Sequence, residues 1–240
     1  MIVIITCLIN VVFKGVRMEA KQRYNAFTVM TSPRLFIRER RAVKAGPLIL
    51  LSWLYGLIFL FDYSLNQSLG YNLGFWQILV TTFFLAPLAG FIAIMISSIL
   101  LLWTGKILKG KATFWQIVTA VSWSKVPQVF ILLTWLLLFC ILGSTAFAPQ
   151  PLQSTPLIGA VAILFWVQLA LYVWSFIILL HMLAEVQQFS AWIALWNVIF
   201  KALILGVLGF IFITINQNMI YPPPLGIIIG QGSVGGIYAF

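Results

Sequence analysis

Residues 77–103 read QILVTTFFLAPLAGFIAIMISSILLLW, 27 residues without one Asp, Glu, Lys, Arg or His. About 20 apolar residues suffice to cross the ~30 Å hydrocarbon core of a bilayer as a helix. A helix is what that solvent demands, because it satisfies its own backbone polar groups where water is absent. The stretch therefore reads as a transmembrane helix. Pro87 and Gly90 lie inside it, and a proline there predicts a kink.

Four similar runs surround it, at 46–61, 126–147, 157–180 and 195–215. Lys201 near the start of the last can carry its charge to the interface along its apolar stem. The expected fold class is all-α: a polytopic integral membrane protein with five transmembrane helices. Composition agrees. The 240 residues are 62% hydrophobic and 8% charged, against about a quarter charged in soluble domains. No soluble globule could hide so much apolar surface, and a disordered chain, a collagen or a coiled coil is equally excluded. Three regions are expected: a cytoplasmic N-terminal segment over 1–45, a five-span membrane domain over 46–216, and a Gly/Pro-rich tail over 217–240.

Charge sets the expected orientation. Fourteen Lys and Arg against four acids leave a net charge of +10. Nine of the fourteen stand at or before Lys44. The segment 62–76 holds no Lys or Arg, 104–125 holds Lys106, Lys109, Lys111 and Lys125, and 148–156 holds no charge. Loops rich in Lys and Arg stay cytoplasmic, so the N-terminus is expected inside and, after five spans, the C-terminus outside. A basic chain also invites a nucleic-acid reading. It is rejected here, for want of a soluble domain to present a groove-sized surface.

Residues 1–13 are apolar but too short to span, with Lys14 and Arg17 after them rather than before, so a signal peptide fits poorly. Met18 opens a conventional polar tail, and 1–17 is read as an extension upstream of the true start. Ser32 suits a helix N-cap, with Pro33 at the first helical position, where a missing N–H costs nothing. Residues 34–44 then read as an amphipathic helix, with Leu35, Phe36, Ala42 and Val43 on one arc and Arg34, Arg38, Arg40, Arg41 and Lys44 on the rest. Such a helix is expected to lie in the interface with its basic face on anionic lipid head groups. An ordinary solvated tail is the alternative. After Pro222-Pro223-Pro224 the chain is glycine-rich, and Gly226 with Gly230 reads as a flexible or surface-adhering tail rather than a pairing motif.

The stock of reactive groups is small: His181, four acids (Glu19, Glu39, Asp62, Glu185) and two cysteines, Cys7 and Cys140, outside any CxxC pair. No catalytic residue, metal site or cofactor is expected from this set. Ser97 and Ser98 read as helix contacts, since no base lies near them in sequence. Trp53, Trp76, Trp103, Trp115, Trp123, Trp174 and Trp192 fall near expected helix ends and read as an interfacial aromatic belt.

Three stretches together resemble the Yip family of membrane proteins, named for binding Ypt/Rab GTPases, in its bacterial branch. Thr31-Ser32-Pro33-Arg34-Leu35-Phe36-Ile37-Arg38-Glu39 is similar to the family's pre-membrane T-S-P-x-x-F-x-R-E. Thr113-Phe114-Trp115-Gln116 and Trp123-Ser124-Lys125-Val126-Pro127 resemble the stretch leading into its third span, with Trp123 where the family usually has Tyr. Val173-Trp174-Ser175 and the run from Glu185 through Ser190 to Ala194 resemble its join between spans four and five. Order, spacing and five-span layout agree over roughly 28–216. The resemblance implies an integral membrane protein and brings no catalytic residue with it. The chain has no D-L-Y-G-P-type segment like that of the eukaryotic members, which counts against small-GTPase binding.

Polar residues gather at the expected cytoplasmic ends: Lys125 and Pro127 at the start of span three, and His181, Glu185, Gln188 and Ser190 after span four. His181 and Glu185, four apart, share a face if the helix continues. A Glu185–Lys125 ion pair is the expected tie between the two loops. A proton- or ion-handling role and simple solvent exposure remain open beside it. The function expected is a non-catalytic membrane-organising or adaptor protein engaging lipid and other membrane proteins, its own copies included. A small-solute or ion permease or channel is the alternative, and plasma membrane the location for a prokaryotic chain.

Overall fold

The structure is a computed structural model that describes residues 26–39, 45–147 and 155–220. The expectations for 1–17, for Arg40, Arg41 and Lys44, and for the tail after Pro222 lie outside the described residues. Among those described, every regular element is helical. Two short helices come first, α1 (Ala26–Thr31) and α2 (Pro33–Glu39). Then follow α3 (Ala45–Asn66), α4 (Phe75–Ile107), α5 (Phe114–Ser124), α6 (Ile131–Leu142), α7 (Thr155–Gln187) and α8 (Ala191–Ile220). Five helical stretches are long and apolar enough to cross a membrane: Ala45–Asn66, Phe75–Ile107, Phe114–Leu142, Ile158–Gln187 and Ala191–Phe212. A first compact unit ends at Lys201, and a second begins at Ala202. In the second unit, 202–220 is helical and exposes apolar side chains such as Leu203, Val207 and Phe210.

Three boundaries differ from the sequence reading. The third span begins at Phe114, not near 126, because the backbone N–H of Thr113 donates to Gln116 Oε1 at 2.9 Å and so caps α5. Pro127 does not start that span; it interrupts it with a 3₁₀ turn, Pro127–Phe130, between α5 and α6. Lys125 therefore lies inside the span rather than in a loop. The fourth span continues to Gln187, so His181 and Glu185 stand on α7 and the expected loop 181–194 shrinks to 188–190. At 33 residues each, α4 and α7 are about 50 Å long and extend past a ~30 Å hydrocarbon core.

Both prolines inside spans have their loose backbone partner supplied by another helix. Pro87 cannot donate to the carbonyl of Phe83, one turn back, and α4 runs through it. That carbonyl instead accepts the Trp53 indole N–H from α3 at 3.3 Å, with the Trp53 and Phe83 rings edge to face at 4.9 Å. So Trp53 is a bonded tie between α3 and α4 rather than a member of an interfacial belt.

The same two helices touch backbone to backbone. A Cβ placed on Gly56 would stand 1.9 Å from the Ala86 carbonyl oxygen, and one on Gly90 would stand 1.8 Å from that of Ser52. In lipid, where apolar burial drives little, such small residues four apart permit the close packing that joins helices. Ser52-x-x-x-Gly56 meets Ala86-x-x-x-Gly90 in this way. Away from this seam, an aromatic group of Phe61, Phe75, Trp135, Phe139 and Phe147 fills the bundle at the α3–α4 turn. Beside it the Tyr172 hydroxyl donates to Asp62 Oδ2 at 2.5 Å, and Gln168 Nε2 donates to Thr134 Oγ1 at 2.7 Å.

Candidate functional site at the basic end of the bundle

The opposite end carries Lys106, Lys109 and Lys111 in and after the last turn of α4, and α2 docks there. The apolar face of α2 is Phe36 and Ile37, 1% and 2% exposed, while Leu35 is 54% exposed. The expected arc with Leu35 inside is thus rotated by about one residue. The Phe36 ring meets the Trp123 indole edge to face, with centroids 4.8 Å apart. Leu51, Val126, Ile178 and Met182 complete the apolar nest. Seated on protein, α2 holds its hydrophobic side away from lipid, which corrects the picture of a helix lying only on the membrane surface.

Beside Phe36, Arg38 reaches α7. Its Nε donates to Glu185 Oε1 at 2.8 Å. The hydrogen bond and the charge of Glu185 together raise the Arg38 guanidinium above its ordinary value. The expected Glu185–Lys125 pair does not form. The nearer cation takes Glu185, and Lys125, inside its span, sets Nζ 4.4 Å from the centroid of the Tyr55 ring, a cation–π contact. His181 turns to its own helix, with Nδ1 2.8 Å from the Ile177 carbonyl.

The break at Pro127 is bound into the same place. Gln128 N–H donates to Lys125 O at 2.9 Å in the 3₁₀ pattern, leaving the Ser124 carbonyl without its α-helical donor. The buried Ser175 hydroxyl of α7 donates to that carbonyl at 2.6 Å. Ser190 stands before α8 and accepts from the Ile193 N–H at 3.4 Å, as a cap does. Ser32 separates α1 from α2, its N–H on Thr28 O at 2.8 Å and its carbonyl receiving the Phe36 N–H at 3.1 Å; Pro33 is the first residue of α2.

Several residues were missed in the sequence. Gln187, 2% exposed, fills the space beside two glycines: a Cβ on Gly105 would stand 2.1 Å from its Nε2, and one on Gly110 1.8 Å from its Oε1. Its Nε2 donates to Leu101 O at 3.2 Å. The buried Asn197 Nδ2 reaches the same carbonyl at 3.3 Å, and its Oδ1 takes the Thr104 hydroxyl. An amide amid the apolar run of α8 is a signal by itself, since lipid offers it no partner. Lys201 Nζ donates to Ser97 Oγ at 3.3 Å, so Ser97 is a helix contact, as expected.

Between α2, the α4–α5 turn and the end of α7 lies a cleft of about 210 Å³, lined by Ile37, Arg38, Lys111, Gln116, Glu185, Val186 and Gln188. No cluster of three His, Cys, Asp or Glu able to hold a metal occurs among the described residues.

These features define a multi-pass α-helical membrane protein whose spanning helices contact the lipid bilayer. The chain belongs to the Yip1 domain family, whose model matches residues 27–213. The matched region begins in α1, so α2 and its docking fall within the domain. No curated protein and no solved structure matches the chain.

Proposed function

We propose that this Yip-family protein is a non-catalytic membrane organiser or adaptor, with its N-terminus in the cytoplasm and its C-terminus outside. The docked α2 is the observation that carries the reading. Phe36, Arg38, Trp123, Ser175 and Glu185 all bond to one another's helices, which suits a rigid platform better than a reacting centre. The basic Lys106–Lys111 turn beside it favours the cytoplasmic side. Arg40 and Arg41 add to the charge that such a face would offer to anionic head groups. The exposed Trp192, Trp196 and Phe200 of α8 offer an apolar ridge to lipid or to another membrane protein, including a second copy.

A photo-reactive residue at Trp196, irradiated in native membranes, tests this. Discrete protein adducts are expected. Adducts to lipid alone, repeated at Phe200, would remove the adaptor reading. Labelling of both termini from one side would remove the orientation.

A permease or channel is the second reading. It is favoured by ionisable groups within the spans, Asp62 on Tyr172 and Lys125 over Tyr55, since such groups mark ion or substrate routes in lipid. Solute or proton flux in proteoliposomes that disappears in Asp62→Asn would select it.

A further inference from the structure

We infer that the cleft beneath α2 is a stoichiometric binding site for a phosphate group bearing net negative charge. This deepens the reading above, on which it rests, by naming the chemistry that the docked face holds. The cleft has four donor-bearing side chains, Arg38, Lys111, Gln116 and Gln188, against a single carboxylate, Glu185. That carboxylate is already matched, because Arg38 gives it Nε. A guanidinium has five N–H donors in a fixed fork, so the two Nη groups of Arg38 remain for a ligand while Glu185 fixes their plane. Gln116 accepts the Thr113 N–H through Oε1, which turns its Nε2 to donation. Lys111 is anchored through its backbone, its N–H on Gln187 O at 3.3 Å, which holds its side chain at the rim. Planar and ammonium donors converging on a pocket of this size match the oxygens of a phosphate.

Its place selects the source as well as the chemistry. The cleft lies where α5 begins and α7 ends, at the margin of two spans, the depth at which a head group sits. Ile37 and Val186 supply an apolar wall on which the glycerol and first acyl carbons can lie. A lipid phosphomonoester therefore fits better than free phosphate, though both carry the recognised group.

The test uses the full chain in neutral detergent micelles, titrated calorimetrically with short-chain phosphatidic acid, short-chain phosphatidylcholine and inorganic phosphate. Saturable one-to-one binding of phosphatidic acid is expected, with phosphate binding more weakly and phosphatidylcholine not saturating. K111Q and Q116A each weaken it about tenfold, the loss of one strong donor, and K111R retains it. K106Q removes an equal charge from an exposed position outside the cleft and leaves the affinity unchanged. Equal binding of phosphate would move the natural ligand to the free ion within the same site. Non-saturating uptake, equal loss in K106Q and K111Q, or equal affinity for phosphatidylcholine overturns the site. Photo-adducts in native membranes, by contrast, bear only on the adaptor reading, so the two can fail separately.

Discussion

The Ser175 hydroxyl donates to the main-chain carbonyl of Ser124 at 2.6 Å, across 51 residues of sequence. The bond closes a gap that Pro127 opens, and it joins α7 to the broken third span at the level where Phe36 rests on Trp123. With Arg38 on Glu185, it draws together three stretches that stand far apart in the chain.

Ser175→Ala removes this donor and leaves a buried carbonyl without a partner. A loss of about 1–2 kcal/mol is expected, since hydrogen bonds between helices in lipid are worth less than the bare desolvation cost. The same change in a Pro127→Ala background should cost less, because residue 127 regains an N–H and the ladder can close without Ser175. Thermal unfolding in detergent measures all four chains. Equal losses in both backgrounds would show that the Pro127 gap is not what Ser175 fills.

Gly56 and Gly90 are predicted to be the least replaceable positions of the α3–α4 pair. A methyl group at either meets a carbonyl oxygen at under 2 Å, and main chain cannot swing aside as a side chain can. Gly56→Ala and Gly90→Ala should each reduce the yield of folded protein in detergent several-fold. Gly46→Ala, with nothing within 4 Å of its added methyl, serves as the neutral control. A normal size-exclusion profile for both variants would contradict the close contact.

Docking of α2 should depend on Phe36 far more than on Arg38. Phe36 lies outside the spans, so water is its alternative environment, and its truncation to Ala is expected to cost about 3 kcal/mol of local stability. The Arg38 side chain is 65% exposed, and an ion pair at such a site adds little. Limited proteolysis before residue 45 reads the difference: Phe36→Ala should be cut rapidly and Glu185→Gln only slightly faster than the parent. Glu185 holds the Arg38 pKa above its ordinary value. A raised pKa contributes stability that is present below the unfolded value and lost only as pH rises through the folded one. For an arginine that window is beyond working alkalinity, so salt rather than alkaline titration of Arg38 should weaken the pair.

The five spans were legible because lipid imposes a simple condition: a long enough run without charge must cross as a helix. Their ends were less so. Pro127 followed a lysine and a polar loop, which is how a helix start looks, and only Ser175 reveals that the helix resumes behind it. The Arg38–Glu185 pair was hidden by distance, since 147 residues separate the two and Lys125 was an equally charged candidate. The end of α4 carries Lys109 at φ 65 and that of α7 carries Gln188 at φ 60, positions where glycine is the usual signal. Without it, α7 read seven residues short. Gly56 and Gly90 had a readable signature, small residues four apart in two neighbouring spans, but one that names no partner by itself.

Tyr172 and Asp62 give the last prediction. Tyr172 sits on α7 and Asp62 near the far end of α3, with a short hydrogen bond between them inside two apolar helices. A carboxyl group there has few other donors, so Tyr172→Phe should cost more than the loss of an exposed hydrogen bond, about 1–3 kcal/mol. Asp62→Asn keeps an acceptor for the phenol and should cost less. The double variant should lie close to Tyr172→Phe alone, because once the phenol is gone the residue at 62 has nothing left to accept from it. Chemical unfolding in mixed micelles measures the cycle. If the two changes simply add, the contact does not couple α3 to α7. If Tyr172→Phe leaves stability intact yet abolishes flux in proteoliposomes, the pair belongs to a conduction route, and the permease reading displaces the adaptor.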